Sequence, residues 1–493
     1  MKQSLLIEHP DVASNINLIN IWLKARMAYS GQPAVSIAIV HDQELVYANG
    51  FGMGDIDTGQ VATAGSIYRI ASHSKLFAAI SVMQLRDEGK LNLDVPITDY
   101  LPWFSIQNEH AQAPPITIRH LMTHTAGLPR EAGSGYWVDF KFPSQQEIRG
   151  RVADLRKSYS ASYRWKYSNL AWGLVGEIIE AVSGQWFNDY VQEHILDPLE
   201  MNSTSVTFPA DHQERLVTGY GRRMPDGSRE VFPFVDALGL ASATGMSSCV
   251  NDMAKFMAWQ FRLRAGHDTE VLTANTLREM QRIHWVQPGW ESGWGLGFGI
   301  IRQKERDLIG HSGGYPGYLT NTRISSNENI GVCVFTNSLS GGPLEITNRI
   351  FEWMAPAIQK AAAEQTLPEP NEIEKEPSNR LLKWLSPILK KPAAEETPPQ
   401  PTPAWSTVEG TYRDHWGDSH VIFLDGKLQI LDPTDENPKK LALELIPQGD
   451  GTFIMEGKNG GAAVGERVSF EIGASGQADK VKIGDNTLPR VEF

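Results

Sequence analysis

Apolar and polar positions along this chain recur with two periods, one helical and one of strands. Over residues 15–28, Ile16, Leu18, Ile19, Ile21, Trp22, Leu23 and Met27 give enough apolar surface for an amphipathic opening helix. Two β-rich runs follow at 34–40 and 45–50, and the polar turn His41-Asp42-Gln43-Glu44 between them predicts a hairpin. After a loop at 52–66, Leu76, Phe77, Ile80 and Met83 fall on a helical stripe that stops at Gly89. Turn-rich pieces and the short helical pattern 118–124 lead to a second apolar helix, 170–182, closed by Gly184.

Residues 294–301 and 307–311 read as paired strands, 318–324 and 331–336 as two more, and 345–360 as a closing helix. Helices before, within and after an antiparallel sheet predict an α+β fold with an all-helical subdomain. From 367 to 403 the composition shifts to Pro, Glu, Lys and Ala around an apolar island at 381–389, as in a linker carrying an anchor. Seven short strand candidates beyond it, from 408–412 to 480–483, are separated by Gly and Asp turns and predict a small antiparallel β-barrel. The expected division is therefore 1–362, a linker at 363–404, and a barrel at 405–493.

Composition narrows the classes. With 41% hydrophobic and 21% charged residues in 493, the chain is an ordinary globular protein. The formal net charge of -13 leaves no basic footprint for nucleic acid or an anionic membrane surface, so neither partner is expected. No apolar run reaches membrane-spanning length, and Leu5-Leu6-Ile7 is too short for the core of a secretory signal, so a cytoplasmic location is expected. Cys249 and Cys333 sit in apolar or small-residue stretches without metal-ligand spacing and are expected as buried free thiols. His120 and His124 are four apart, but the Glu that a zinc protease places after its first His is Leu121 here. A structural role is expected for that helix, with no metal and no cofactor.

The candidate chemistry starts at Ser72-His73-Ser74-Lys75, at the head of the stripe ending at Gly89. A serine and a lysine three apart share one helix face, and a desolvated neutral lysine can take the proton that makes a serine hydroxyl nucleophilic. S-x-x-K arises by chance about once or twice in a chain this long, and Ser is a favoured helix cap. Here, however, a cation stands where a capping box would place Glu or Gln, against the helix dipole. The serine follows antiparallel strands and a loop, which disfavours the G-x-S-x-G hydrolase fold. Tyr167 and Asn169, two apart in an extended stretch, can point the same way. Alone they read more readily as an aromatic packing residue followed by a polar cap. His311-Ser312-Gly313-Gly314 ends a strand with glycines that let a ligand approach the backbone, or make a simple turn.

In this order, Ser72-x-x-Lys75, Tyr167-x-Asn169 and His311-x-Gly313 resemble the serine β-lactamase and penicillin-binding family. The branch is that of class C β-lactamases, D-alanyl-D-alanine carboxypeptidases, D-aminopeptidases and family VIII carboxylesterases. Supporting stretches at 89–102, 117–129 and 294–298 extend the resemblance over about 15–357, and the C-terminal piece resembles the lipocalin-like domains that follow some members. The resemblance implies Ser72 as nucleophile, Lys75 as the group that takes or relays its proton, and Tyr167 as sharer of the base role and proton donor to the leaving group. Asn169 would orient Lys75 and the acyl side of the substrate, and the N–H groups of Ser72 and Gly314 would form the oxyanion hole. His311 stands where class C β-lactamases have lysine and matches the peptidase-like members, whose middle hydroxyl, here Ser312, helps them accept carboxylates. The implied activity is serine hydrolysis of a small-molecule ester or amide through an acyl-enzyme. A carboxylesterase on short-chain esters comes first and a D-aminopeptidase or carboxypeptidase second, with a β-lactamase or non-turnover penicillin-binding sensor third and a homo-oligomer left open. Trp103, Tyr136, Trp137, Phe232, Phe234 and Trp285 are expected as apolar pocket walls or core.

Overall fold

The computed structural model describes residues 1–109, 112–266, 271–303, 305–366, 405–424, 426–433, 441–457 and 463–491. The expected linker and its apolar island at 381–389 lie outside the described residues, apart from 363–366 at the end of a helix.

The opening helix α1 (Pro10–Ser30) is longer than its apolar stripe. Pro10 occupies the first turn, where its missing N–H costs nothing, the His9 ring accepts from Asp11 N–H, and Gly31 closes the helix at a φ of 63°. It leads into the hairpin β1 (Ala34–His41) and β2 (Glu44–Asp55), in which Ala38 faces Ala48. The short β3 (Gln60–Val61) then joins, and α2 (Ser74–Asp87), α3 (Asn169–Ser183) and α4 (Val250–Arg264) follow before the chain returns to the sheet. The returning strands are β4 (Trp285–Val286), β5 (Ser292–Trp294), β6 (Gly299–Gln303), β7 (Arg306–Tyr315), β8 (Tyr318–Ser325) and β9 (Ile330–Thr336), and α5 (Pro343–Thr366) follows them. Together they form a nine-stranded antiparallel sheet in the order β3-β2-β1-β9-β8-β7-β6-β5-β4.

Alternation along the strands divides the core. Val35, Ile37 and Ile39 of β1 join Val332 and Val334 of β9 in one cluster with α1 and α5. Ala38, Val40, Cys333 and Phe335 face the other way, into the larger cluster with α2, α3 and α4. Cys249 and Cys333 are buried free thiols. The stretch 294–301, expected as one strand, is broken between β5 and β6. Gly297 has a φ of +83° and lies where a Cβ would sit 2.6 Å from the Ala79 Cβ, so the backbone folds inward against α2.

The C-terminal residues form a closed eight-stranded antiparallel barrel: β10 (Gly410–Arg413), β11 (Asp418–Leu424), β12 (Lys427–Leu431), β13 (Leu443–Pro447), β14 (Phe453–Glu456), β15 (Arg467–Ile472), β16 (Ala478–Ile483) and β17 (Asn486–Val491). The last strand, paired with β16 through Asn486–Pro489, adds to the seven that the sequence suggests. The barrel packs on the preceding domain through Arg222–Asp418 (2.5 Å), Arg164–Glu456 (3.0 Å) and Lys166–Glu466 (2.6 Å), and through the Trp416 ring against Trp137 (5.5 Å). Among the described residues no helix is long and apolar enough to cross a membrane.

Candidate active site

Ser72 lies in the single 3-10 turn Ala71–His73 that runs straight into α2. The preceding Ala71 is held at a φ of 50°, an uncommon conformation for a residue with a Cβ, and strain of this kind concentrates at functional sites. One turn on, the fully buried Lys75 places Nζ 3.0 Å from Ser72 Oγ, 3.0 Å from Asn169 Oδ1 and 2.6 Å from the Ala243 carbonyl. Nζ donates to all three oxygens in this arrangement; in the neutral amine, with two N–H donors and one lone pair, the donors would go to Asn169 and Ala243 and the lone pair would take the Ser72 proton. Burial, reinforced by Arg130 and opposed by Glu131, holds the Lys75 pKa well below the ordinary lysine value.

Tyr167 approaches from the other side, its hydroxyl donating to Ser72 Oγ at 2.8 Å. Burial pushes its pKa up to about 12, against the pull of the Ser72 hydrogen bond and the Arg130 charge. The ring is stacked on His124 at 4.2 Å and lies 5.1 Å from the Arg130 guanidinium carbon and 5.0 Å from Lys75 Nζ. The cap of α3 is Ser168, not Asn169: its Oγ accepts from Ala171 N–H at 3.0 Å and donates to the Pro129 carbonyl at 2.6 Å. That leaves the Asn169 amide for Lys75 and, through Nδ2, for both oxygens of Glu131 at 3.1 Å.

The third motif lies on β7. Gly313 is packed where a Cβ would stand 2.3 Å from both the Ile70 carbonyl and Thr320 Oγ1, so the strand closes on the Ser72 turn only with glycine there. His311 Nδ1 lies 2.5 Å from the Ser312 carbonyl and so carries the proton, which leaves Nε2 a buried acceptor without a partner among the described residues. Burial above all holds its pKa well below the usual imidazole value. Ser312 is exposed to the cavity, and its Oγ accepts from Asn321 at 2.7 Å and Arg323 at 3.4 Å. Arg323 is a buried guanidinium for which no ion pair is found among the described residues; burial brings its pKa down to about 10, still charged at neutral pH.

Ser72, Tyr167, Asn169 and the run 311–314 all border one cavity of about 1000 Å³. Its far wall is the barrel: Trp416, Ile430, Leu443, Met455 and Leu488 give it apolar surface, and Asp432, Glu466 and Asp485 give it carboxylates. Along the whole lining, carboxylates outnumber guanidinium groups. Of the six aromatics expected as walls, Trp137 reaches the cavity, joined by Trp165 and Trp294. Tyr136 is buried with its hydroxyl on Glu131, Phe232 packs on Phe140, Phe234 on Phe208 and Trp103 on Phe104, and Trp285 is half-buried in β4. His120 bonds back to Thr117 at 3.1 Å and His124 lies under Tyr167, so the two rings do separate work. Sequence reasoning did not single out Arg130, Glu131, Lys166, Arg323 or any barrel residue. Their only signal was a charge beside a motif, and Glu466 lies 300 positions from its partner.

The beta-lactamase family model matches residues 20–353. Protein flp of Staphylococcus aureus (strain MW2) is 26% identical over 309 residues, covering 62% of this chain and 59% of that protein. A beta-lactamase of Yersinia enterocolitica is 26% identical over 302 residues, covering 59% of this chain and 73% of that protein. The chain thus spans about 59% of the length of the first curated relatives it matches. Among solved structures, the octameric penicillin-binding protein homologue from Pyrococcus abyssi has the same fold at a TM-score of 0.61 and 22% identity, covering 96% of this chain and 99% of that one, so the likeness extends into the barrel. The D-amino acid amidase from Ochrobactrum anthropi SV3, solved with L-phenylalanine amide, aligns at a TM-score of 0.58 and 25% identity over 71% of this chain and 99% of that one.

Proposed function

The chain belongs to the beta-lactamase family, a family of serine hydrolases, and we propose that it is a carboxylesterase that works through an acyl-enzyme on Ser72. In this reading Lys75 takes the Ser72 proton as Oγ attacks the ester carbonyl, and the N–H groups of Ser72 and Gly314 hold the oxyanion. Tyr167, bonded to the same Oγ, passes the proton to the departing alkoxide, and water then releases the acid by the reverse sequence. Asn169 and Glu131 fix Lys75, and His311, Ser312 and Gly313 form the substrate wall.

The observation that carries the reading is the hydrogen-bonded trio of Ser72, Lys75 and Tyr167 opening onto a cavity with much apolar wall and more carboxylates than cations. Such a wall favours neutral acyl groups over the carboxylate of a β-lactam or carboxypeptidase substrate. A neutral His311 adds no positive charge, and Arg323 reaches Ser312 only with a 3.4 Å contact. A D-amino-acid amidase is the second reading. The D-amino acid amidase likeness supports it, and so does Asp485, a half-buried carboxylate on the cavity whose pKa is raised by burial and by Glu466 and Glu131, a fitting seat for a substrate ammonium. For the chain as a whole, the proposed units are 1–362, a linker at 363–404 and the barrel at 405–493.

The test is a panel of p-nitrophenyl butyrate, a D-phenylalanine anilide and a chromogenic cephalosporin, with Ser72→Ala as the blank. The butyrate is expected to exceed the cephalosporin in kcat/KM by at least about tenfold, roughly 1.4 kcal/mol of transition-state discrimination. A faster cephalosporin overturns the esterase reading, and a faster anilide transfers it to the amidase.

A further inference from the structure

Lys166, the residue before Tyr167, is an ammonium with no solvent exposure, and the carboxylate that neutralises it comes from the barrel. Glu466 Oε1 lies 2.6 Å from Lys166 Nζ, with 10% of the Glu466 side chain exposed. The same oxygen accepts the backbone N–H of Arg130 at 2.9 Å. Arg130 is tied to the catalytic segment a second time, because its carbonyl accepts Asn169 N–H at 2.7 Å. Its guanidinium lies over the Tyr167 ring, and its Nε pairs with Glu131 at 3.0 Å. Lys166 N–H in turn donates to the carbonyl of His124, whose ring is stacked on Tyr167. One barrel carboxylate thus joins Arg130 to Lys166, the residue that leads into Tyr167 and Asn169.

We propose that Glu466 is a positioning residue for the reaction: by clamping Arg130 and Lys166 it sets Tyr167 and Asn169 against Ser72 and Lys75, so the barrel is a working part of the active site. The proposal rests on the acyl-enzyme reading of Ser72. Glu466 borders the cavity, but its carboxylate oxygen is bonded to Lys166 and to Arg130 N–H, and it acts on Ser72 through those two residues. A phenol displaced by part of an ångström loses its bond to Oγ, and a misplacement of about 1 Å at a reacting group costs on the order of a hundredfold in rate.

The experiment uses the full chain with Glu466→Gln, Glu466→Asp and the double variant Lys166→Met/Glu466→Leu. A fluorophosphonate that phosphonylates the active serine counts competent sites, so that turnover of p-nitrophenyl butyrate is expressed per titrated site. Glu466→Gln is expected to lose about tenfold to a hundredfold in kcat per site while KM stays within about threefold. Glu466→Asp, which keeps the carboxylate, should recover most of that loss. The double variant removes both buried charges and is expected to fold, since apolar replacement of a buried ion pair is often neutral or stabilising. It should remain slow, because Arg130 N–H has lost its acceptor. A structural role alone would lower the number of titrated sites and leave kcat per site within about twofold of native in all three variants, and that result overturns the proposal. So would native turnover per site in the double variant. Failure of the underlying reading is separate: it would appear as turnover or labelling that persists in Ser72→Ala.

Discussion

Replacing Lys75 with methionine tests the charge state of the buried amine without relying on catalysis. In the unfolded chain this lysine binds its proton up to about pH 10.4. In the folded protein burial and Arg130 hold the value well below that. Between the two values the unfolded state carries one more proton than the native state, so stability rises with pH and falls as pH drops toward the folded value. One proton corresponds to about 1.4 kcal/mol per pH unit. Methionine removes this slope and adds a nearly pH-independent loss, because Asn169 Oδ1 and the Ala243 carbonyl each lose a donor. Each orphaned acceptor costs about 1–3 kcal/mol. Urea unfolding of both proteins at half-unit steps from pH 8 to 9.5 gives the difference directly, with the other groups cancelling. Wild type should gain on the variant by up to about 2 kcal/mol over that span. A difference that stays flat would refute the neutral amine, and with it the assignment of Lys75 as base. The variant should also lose about 10²- to 10⁴-fold in acylation rate.

Ser74→Ala should keep turnover yet cost about 1–3 kcal/mol of stability by urea unfolding, because its buried Oγ accepts Met246 N–H at 3.0 Å and donates to the Ala71 carbonyl. Lys75→Met and Tyr167→Phe should be strongly non-additive in kcat/KM, since both groups handle the proton of one Oγ; additive losses would return Tyr167 to a packing role. Because the His311 pKa is lowered well below 6.5, the imidazole stays neutral from pH 6 upward, and the ratio of butyrate to cephalosporin kcat/KM should show no inflection between pH 6 and 7.5. His311→Lys should narrow that ratio at pH 7.5, measured on the same pair of substrates.

Those tests fall on residues that differ in how legible they were. The stripe of Leu76, Phe77, Ile80 and Met83, the hairpin of β1 and β2, and the Gly184 stop of α3 are local patterns set by helical and strand periods, and a reader of the chain can find them. The order of the serine, tyrosine and histidine motifs likewise stands in the sequence. Several further features depend on what is packed alongside. Ser168 rather than Asn169 caps α3 because the Pro129 carbonyl lies beside its hydroxyl, and the stretch 294–301 breaks because Gly297 folds against Ala79. Lys75 becomes a candidate neutral base only because burial and Arg130 surround it. The acid-rimmed barrel wall, Arg323 behind Ser312, and the reach of Glu466 to Lys166 were invisible along the chain. Periodicity and capping are properties of neighbours in sequence. The charge and shape of a cavity are sums over side chains that only folding brings within a few ångströms, across separations as long as the 336 residues between Arg130 and Glu466.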